Sequence, residues 1–242
     1  MNTVIITGAS RGIGLSTARL FAENGYHVML NALHDSPGLK EAAENCSLLS
    51  GVKCCAFPGD ISDPGFVNDL IFTAAEQLGH IDVLINNAGI SYVGLIQDTD
   101  PAIWQEIMNT NLSSIHYCTR AVIPYMLKNK TGHIINISSV WGNTGASCEV
   151  AYSASKGGIN AYTKASAKEL APSGISVNAI ACGCVKTDML NIYSEEDIQD
   201  LSDRIPFGRP AYPDEIARIV YNMAQMPAYL TGQIITADGG WT

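Results

Sequence analysis

Short apolar runs rich in β-branched residues recur along this chain, and longer stretches with apolar positions at helical spacing lie between them. The runs are Thr3-Val4-Ile5-Ile6-Thr7 and residues 26–31, 52–57, 81–85, 133–137, 175–180 and 232–237, which predict strands. Helices are predicted from the pattern Leu15, Ala18, Leu20, Phe21, and over residues 37–49, 100–130, 152–171 and 213–226. Asp63-Pro64 and Asp100-Pro101 read as helix starts, a carboxylate cap followed by proline at the first helical position. Alternation of this kind predicts an α/β fold: a doubly wound parallel sheet of about seven strands, flanked by helices on both faces. Residues 188–209 are polar and acidic without core periodicity, which predicts a mobile lid carrying a short helix near residues 195–201.

Composition narrows this picture without changing it. The chain has 242 residues, 47% hydrophobic and 15% charged, enough for one large core, and no linker divides it, so residues 1–242 read as one domain. Met1-Asn2 leads straight into the first strand, and no run approaches the ~18 apolar residues of a membrane span, so a cytoplasmic protein is expected. Seven cysteines without regular spacing give no disulfide framework. Cys182-Gly-Cys184 lacks the second pair that a zinc site requires, so no metal is expected. A formal charge of −9 argues against nucleic acid or an anionic membrane as partner; a small molecule or something locally cationic fits better.

Chemistry first shows itself after the opening strand. Gly8-Ala9-Ser10-Arg11-Gly12-Ile13-Gly14 is a glycine-rich turn between a strand and a helix, where backbone N–H groups and the positive helix end can hold a pyrophosphate. Past the second predicted strand stand Ala32, Leu33 and His34. An acid there would bond the ribose 2′-OH of NAD; with none in place and Arg11 able to reach a 2′-phosphate, NADPH is favoured and NADH remains possible. Asp60, beyond the third strand, reads either as an adenine contact or as a turn residue. Asn86-Asn87-Ala88-Gly89 ends the fourth strand and suits edge-on cofactor support as well as an ordinary turn.

Tyr152 and Lys156 stand four apart on a predicted helix and so share one face. A cation beside a phenol is expected to lower its pKa from about 10 toward working pH, preparing a proton donor. Ser139, just after the run at 133–137, falls at the carboxyl end of a strand, where open α/β sheets bind ligands. Asn111 interrupts the long helical stretch, and its side chain or a distorted backbone there could hold a proton-relaying water.

Taken in order and at these spacings, T-G-A-S-R-G-I-G, Asp60, N-N-A-G, Asn111, Ser139, Y-S-A-S-K and the Thr187 region resemble the short-chain dehydrogenase/reductase family over essentially the whole chain. The resemblance implies a Rossmann-type domain, a homotetramer, and a catalytic set of Asn111, Ser139, Tyr152 and Lys156. It also implies cofactor contacts from Gly8, Ser10, Arg11, Gly12, Ile13, Gly14, Asp60, Ile61, Asn87, Ala88, Gly89, Tyr152, Lys156, Val185 and Thr187. Within the family the chain is similar to the 3-oxoacyl-acyl-carrier-protein reductases, which reduce a ketone to an alcohol. Two departures stand out: Cys182-Gly183 replaces the family's Pro-Gly before the lid, leaving that loop start less restrained, and Lys130 and Ser173 occupy the positions of two carrier-gripping arginines. The segment W-G-N-T-G-A-S-C-E-V-A-Y resembles the elongation factor P 5-aminopentanone reductases, whose substrate is a ketone on a modified lysine. In that reading Trp141, Cys148 and Glu149 line the substrate pocket, with Glu149 facing a cation; otherwise Glu149 is a solvated carboxylate at a helix start. A protein of another class, a silent NADP-binding sensor or scaffold, would have no use for a tuned phenol.

Overall fold

The computed structural model describes residues 2–34 and 37–242. Seven parallel strands form one sheet in the order β3-β2-β1-β4-β5-β6-β7. They are β1 (Thr3–Ile6), β2 (His27–Leu30), β3 (Cys54–Ala56), β4 (Val83–Asn86), β5 (Gly132–Ser139), β6 (Ile175–Cys182) and β7 (Ile234–Ala237). The strand order reverses between β1 and β4, which makes the carboxyl ends of those two strands the place for a ligand crevice.

The continuous apolar runs have a direct cause in burial on both faces. Along β1, Val4 and Ile6 enter one core while Ile5 enters the other; Val28 and Leu30 against Met29 on β2, and Val83 and Ile85 against Leu84 on β4, repeat the division. The first core is closed by α1 (Gly12–Glu23), α2 (Pro37–Ser50) and α9 (Pro213–Ala224). Phe21 of α1 stands edge-on to Tyr26 and to Tyr221 of α9 at 5.0 and 5.2 Å between ring centroids. The second core is closed by α3 (Pro64–Leu78), α5 (Ser114–Asn129) and α7 (Val150–Leu170).

Local chemistry sets the helix ends. Asp63 accepts from the Gly65 N–H at 2.8 Å, and Asp100 accepts from the Ala102 N–H at 2.7 Å at the head of α4 (Pro101–Met108), with proline first in both helices. The predicted helix over 100–130 is not continuous. A π-helical turn, Asn109–Ser113, separates α4 from α5, and Lys130 ends α5 in the left-handed conformation. Strand β5 runs two residues past its apolar run, so Ser139 is the last strand residue and pairs in register with Cys182 of β6.

The predicted lid is a 3₁₀ turn, Asp188–Ile192, followed by α8 (Glu195–Arg204), whose start is fixed by a capping box between Ser194 and Asp197. The start of this segment is held, contrary to the expectation drawn from Cys182-Gly183. The Cys182 carbonyl accepts from Val140 N at 2.9 Å, Gly183 N donates to Ala237 at 2.9 Å, and Val185 bridges to Ala211. Extended backbone bonded on both sides supplies the restraint that a proline ring would. Among the described residues no helix is long and apolar enough to cross a membrane, and no group of three or more His, Cys, Asp or Glu is placed to hold a metal.

Candidate active site

Above the carboxyl ends of β1 and β4 lies an open cavity of about 1420 Å³. It exceeds the ~300–1,000 Å³ of a single small-ligand pocket and has room for a dinucleotide and a substrate together. Its floor is built by the loops that the reversal of strand order brings side by side. The Thr7 hydroxyl accepts from the N–H groups of Asn87 and Ala88 at 3.0 and 3.1 Å. The Asn87 amide in turn donates to the carbonyls of Thr7 and Gly8 at 2.9 and 3.0 Å. Asn87 therefore clamps the glycine loop to the end of β4 while lining the cavity beside Ala88 and Gly89.

The glycine loop fits a phosphate group. Gly8 has φ +65°, and a Cβ there would stand 2.8 Å from Ala88 Cα. Arg11 occupies the N-cap of α1 with no side-chain cap, and no acid stands in the first turn, so the helix presents bare N–H groups on the cavity side. Gly8, Ser10, Arg11, Gly12 and Ile13 line the cavity; Gly14 does not. Its place is explained by packing instead, since a Cβ on Gly14 would come within 2.3 Å of the Gly8 carbonyl oxygen. Asp60 and Ile61 line the same cavity, and the Asp60 carboxylate also closes a turn by accepting from Ser62 N at 2.8 Å. Val185 and Thr187 face it from the β6 side, and Leu33 and His34 border it past β2. Arg11 is exposed and pairs with Asp188 at 3.0 Å.

Ser139, Tyr152 and Lys156 meet on another wall. Lys156, 4% exposed, donates from Nζ to the Ile137 carbonyl at 2.8 Å, and its Nζ lies 5.4 Å from the Tyr152 ring centroid. The expectation that Lys156 depresses the Tyr152 pKa is overturned. Burial holds the Tyr152 phenol above its ordinary value; the Cys182 thiol pushes the same way, and the Ser139 hydroxyl opposes. Lys156 is the group that shifts down, to about 8, again through burial, with Cys182 opposing. The physical reason is that the packed wall behind both side chains penalises both charged forms. A phenol kept protonated is a proton donor, which suits reduction of a carbonyl.

Asn111 is wholly buried within the π-helical turn, and its side chain does not reach the cavity. Its Oδ1 accepts from Ile90 N at 2.8 Å, and its Nδ2 donates to Ile90 O at 2.9 Å and to Ser155 Oγ at 3.0 Å. Both N–H donors and one oxygen lone pair of the amide are taken up in these bonds, so the side chain braces the Gly89-Ile90 wall from behind.

Of the three residues expected in a substrate pocket, Trp141 and Glu149 line the cavity. Burial raises the Glu149 pKa, and a bond with Trp141 opposes that rise. Cys148 does not line it: with φ +63° the residue turns away, and its Sγ lies 3.7 Å from the neighbouring Ser147 hydroxyl. Lining residues that the sequence reading did not assign to the site include Cys182, Tyr193 and Trp241. Trp241 is set against Trp141 at 4.9 Å between ring centroids, and the Asp238 carboxylate fixes its tail by accepting from Gly240 N and Thr242 N at 2.9 and 2.8 Å. Lys130 and Ser173 lie before β5 and β6, at the end of the sheet opposite the cavity.

A doubly wound sheet with a phosphate-compatible glycine loop facing a Ser-Tyr-Lys set defines a dinucleotide-dependent oxidoreductase. The family model described as short chain dehydrogenase matches residues 2–197. The chain is 40% identical over 240 residues to the uncharacterized oxidoreductase YmfI of Bacillus subtilis, covering 99% of this chain and 98% of that one. It is 37% identical over 240 residues to the 3-oxoacyl-acyl-carrier-protein reductase FabG of Chlamydia pneumoniae, covering 99% and 96%. A crystal structure of an actinorhodin polyketide ketoreductase variant with NADPH superposes with a TM-score of 0.93 at 32% identity, covering 99% of this chain and 97% of that chain. The chain belongs to the short-chain dehydrogenase/reductase family.

Proposed function

We propose that the protein is an NADPH-dependent carbonyl reductase that converts a ketone to a secondary alcohol. The observation that carries this is the meeting, in one cavity, of the Gly8–Ile13 loop with Ser139, Tyr152 and Lys156. When bound, a reduced nicotinamide supplies a hydride. Gly8, Ser10, Gly12, Ile13, Asp60, Ile61 and the Asn87–Gly89 loop would hold it, and Val185 and Thr187 would meet its carboxamide end. Tyr152 Oη gives its proton to the ketone oxygen as negative charge develops there, and the Ser139 hydroxyl donates a hydrogen bond to the same oxygen. Lys156 restores the proton balance at Tyr152 and bonds the nicotinamide ribose. NADPH over NADH is supported by Leu33 and His34 at the end of β2, where an acid would select NAD, and by the exposed Arg11. The NADPH named with the ketoreductase structure agrees.

For the substrate, likeness to the 3-oxoacyl-acyl-carrier-protein reductases supports a 3-oxoacyl thioester. Glu149 favours a second reading, a cationic amino ketone such as the modified lysine of elongation factor P. This half-buried carboxylate shares the cavity with Asp188, Asp197 and Asp200 and with the Trp141 and Trp241 rings, and such a wall suits an ammonium group. By likeness to the family, the enzyme works as a cytoplasmic homotetramer, which light scattering of the purified protein checks.

The test compares a 3-oxoacyl thioester with modified elongation factor P, each against NADPH and NADH, for wild type and Tyr152→Phe. Ketone reduction that disappears in Tyr152→Phe while cofactor affinity survives supports the reductase. Cofactor binding without turnover of any ketone turns the reading to a sensor.

A further inference from the structure

The face of α7 that carries Tyr152 and Lys156 continues with Asn160 and Thr163, at the spacing that stacks side chains along one side of a helix. All of these residues meet β5 or the turn after it. Thr163 Oγ1 accepts from Asn136 Nδ2 at 2.9 Å, and Asn136 Oδ1 accepts from Asn86 of β4 at 2.8 Å. Asn160 is different, because it bonds in two directions. Its Oδ1 accepts from Ser138 Oγ at 2.7 Å, and its Nδ2 donates to Asn143 Oδ1 at 2.8 Å. An amide is a weak choice inside a helix and costly to bury unless paired. At 8% exposure, beside the fully buried Ile159, an aliphatic side chain would satisfy packing.

What Asn160 holds is the turn that begins on the reacting hydroxyl. Ser139 Oγ accepts from Trp141 N at 3.2 Å, opening the short helix α6 (Trp141–Thr144) that contains Asn143. This turn rests directly on the backbone of the catalytic helix, since a Cβ on Gly142 would stand 2.7 Å from the carbonyl carbon of Lys156. One end is tied to β6, Val140 N to Cys182 O at 2.9 Å, and the other to the first turn of α7, Ala146 N to Ser153 Oγ at 3.1 Å. Its middle is tied to α7 through Asn143 and Asn160. The other Asn143 bond, to Thr236, is long at 3.5 Å and exposed.

We infer that Asn160 is a positioning residue for carbonyl reduction, fixing Ser139 and Trp141, through the Asn143 turn, against the helix face that carries Tyr152 and Lys156. The inference rests on the reductase reading for its kinetic test, but one readout is independent of turnover.

The test uses Asn160→Leu, which removes both bonds at similar volume; Asn143→Ala, which cuts the turn end from an exposed position; and Thr163→Val, which removes a bond of the same kind one turn further along. Displacement by a fraction of an ångström costs rate before binding, so Asn160→Leu and Asn143→Ala are expected to lower kcat by about tenfold or more, with cofactor KM within about twofold of wild type. The double variant is expected to lose little beyond either single change, because both cut one connection. Thr163→Val is expected to lower Tm and leave kcat within about twofold. Tryptophan emission, as the difference from Trp141→Phe, is expected to shift in Asn160→Leu and Asn143→Ala and stay in place in Thr163→Val, because Trp141 belongs to the turn that Asn160 holds. Equal kcat losses in Thr163→Val and Asn160→Leu, or an unshifted Trp141 emission in folded Asn160→Leu, overturn the inference. A wild type that turns over no ketone defeats the reductase reading, and the Trp141 emission still decides the role of Asn160.

Discussion

Lys156 Nζ donates to the carbonyl of Ile137 at 2.8 Å, so the ammonium carried by α7 is anchored on strand β5 and lies over the Tyr152 ring at 5.4 Å from its centroid. Burial lowers its pKa from 10.5 to about 8. Between these values the unfolded chain binds more protons at this site than the folded protein, so the contribution of Lys156 to stability rises with pH from about 8 to about 10. Above about 10 the raised Tyr152 pKa acts the other way, because the folded state then holds the extra proton. Burial also raises the Cys118, Cys182 and Cys184 thiols, which pull the other way above about 9, so the rise is expected in urea unfolding as the difference between wild type and Lys156→Met across this window. Parallel profiles for the two proteins would remove burial of Lys156 as a source of pH dependence.

Gly14→Ala is expected to damage both stability and cofactor binding although Gly14 does not line the cavity. The added Cβ meets the Gly8 carbonyl at 2.3 Å, a backbone atom with nowhere to yield, and displacing it deforms the phosphate loop. Overpacking of this kind costs about 1–3 kcal/mol. Gly25→Ala is the control: its φ of +83° is strained for alanine, yet nothing lies within 4 Å, so about 1 kcal/mol is expected with cofactor affinity unchanged. Thermal melts with and without NADPH separate the two effects. Equal loss of affinity in both variants would sink the packing account of Gly14.

The contrast between these glycines shows what the sequence makes legible. Strands buried on both faces leave unbroken apolar runs, so β1, β4, β5 and β6 are visible from composition alone. Their last residues are not, because Ser138 and Ser139 are held by pairing with Ala181 and Cys182 and not by hydrophobicity. Thr110 and Asn111, weak helix formers inside a helical stretch, mark the π-helical turn correctly, but the direction of the Asn111 amide depends on Ile90, twenty-one residues away. Charge proximity along one helix suggests a lowered phenol pKa; the desolvation that reverses it belongs to the assembled cavity and has no local signature. Trp241 enters that cavity only through the turn that Asp238 closes, and Cys148 leaves it through a left-handed backbone that nothing in its residue type announces.

Arg11 and Asp188 form an ion pair across the cavity mouth with side chains 75% and 55% exposed. A pair so open to solvent contributes at most about 1 kcal/mol, so Arg11 can exchange Asp188 for a phosphate at little cost. Arg11→Ala is expected to raise the KM for NADPH by about tenfold, the value of one hydrogen bond to a charged group, and to leave NADH within about twofold. Asp188→Asn is expected to improve NADPH binding slightly, with an effect that fades as salt rises. Equal changes for NADPH and NADH in Arg11→Ala would show that this side chain does not read the 2′ position.

Asn111 supplies the sharpest test of the brace behind the cavity wall, because its two bonds to Ile90 run in opposite directions. Asn111→Ala removes the partners of the half-buried Ile90 N–H and C=O, at up to about 1 kcal/mol for each group, and should loosen the Gly89-Ile90 wall enough to lower both Tm and kcat. Asn111→Asp keeps an acceptor for Ile90 N but turns a carboxylate toward Ile90 O, so the ionised form is penalised by burial and by repulsion. Its folded pKa is therefore raised above the unfolded value of about 3.9, and the folded state binds the extra proton between the two. Lowering the pH through that raised pKa protonates the carboxyl, which can then donate to Ile90 O, and relative stability should recover until the unfolded carboxyl protonates as well. Chemical denaturation of wild type, Asn111→Ala and Asn111→Asp from neutral to mildly acid pH measures this. A gap between Asn111→Asp and Asn111→Ala that does not change with pH would mean that the amide donor to Ile90 contributes nothing.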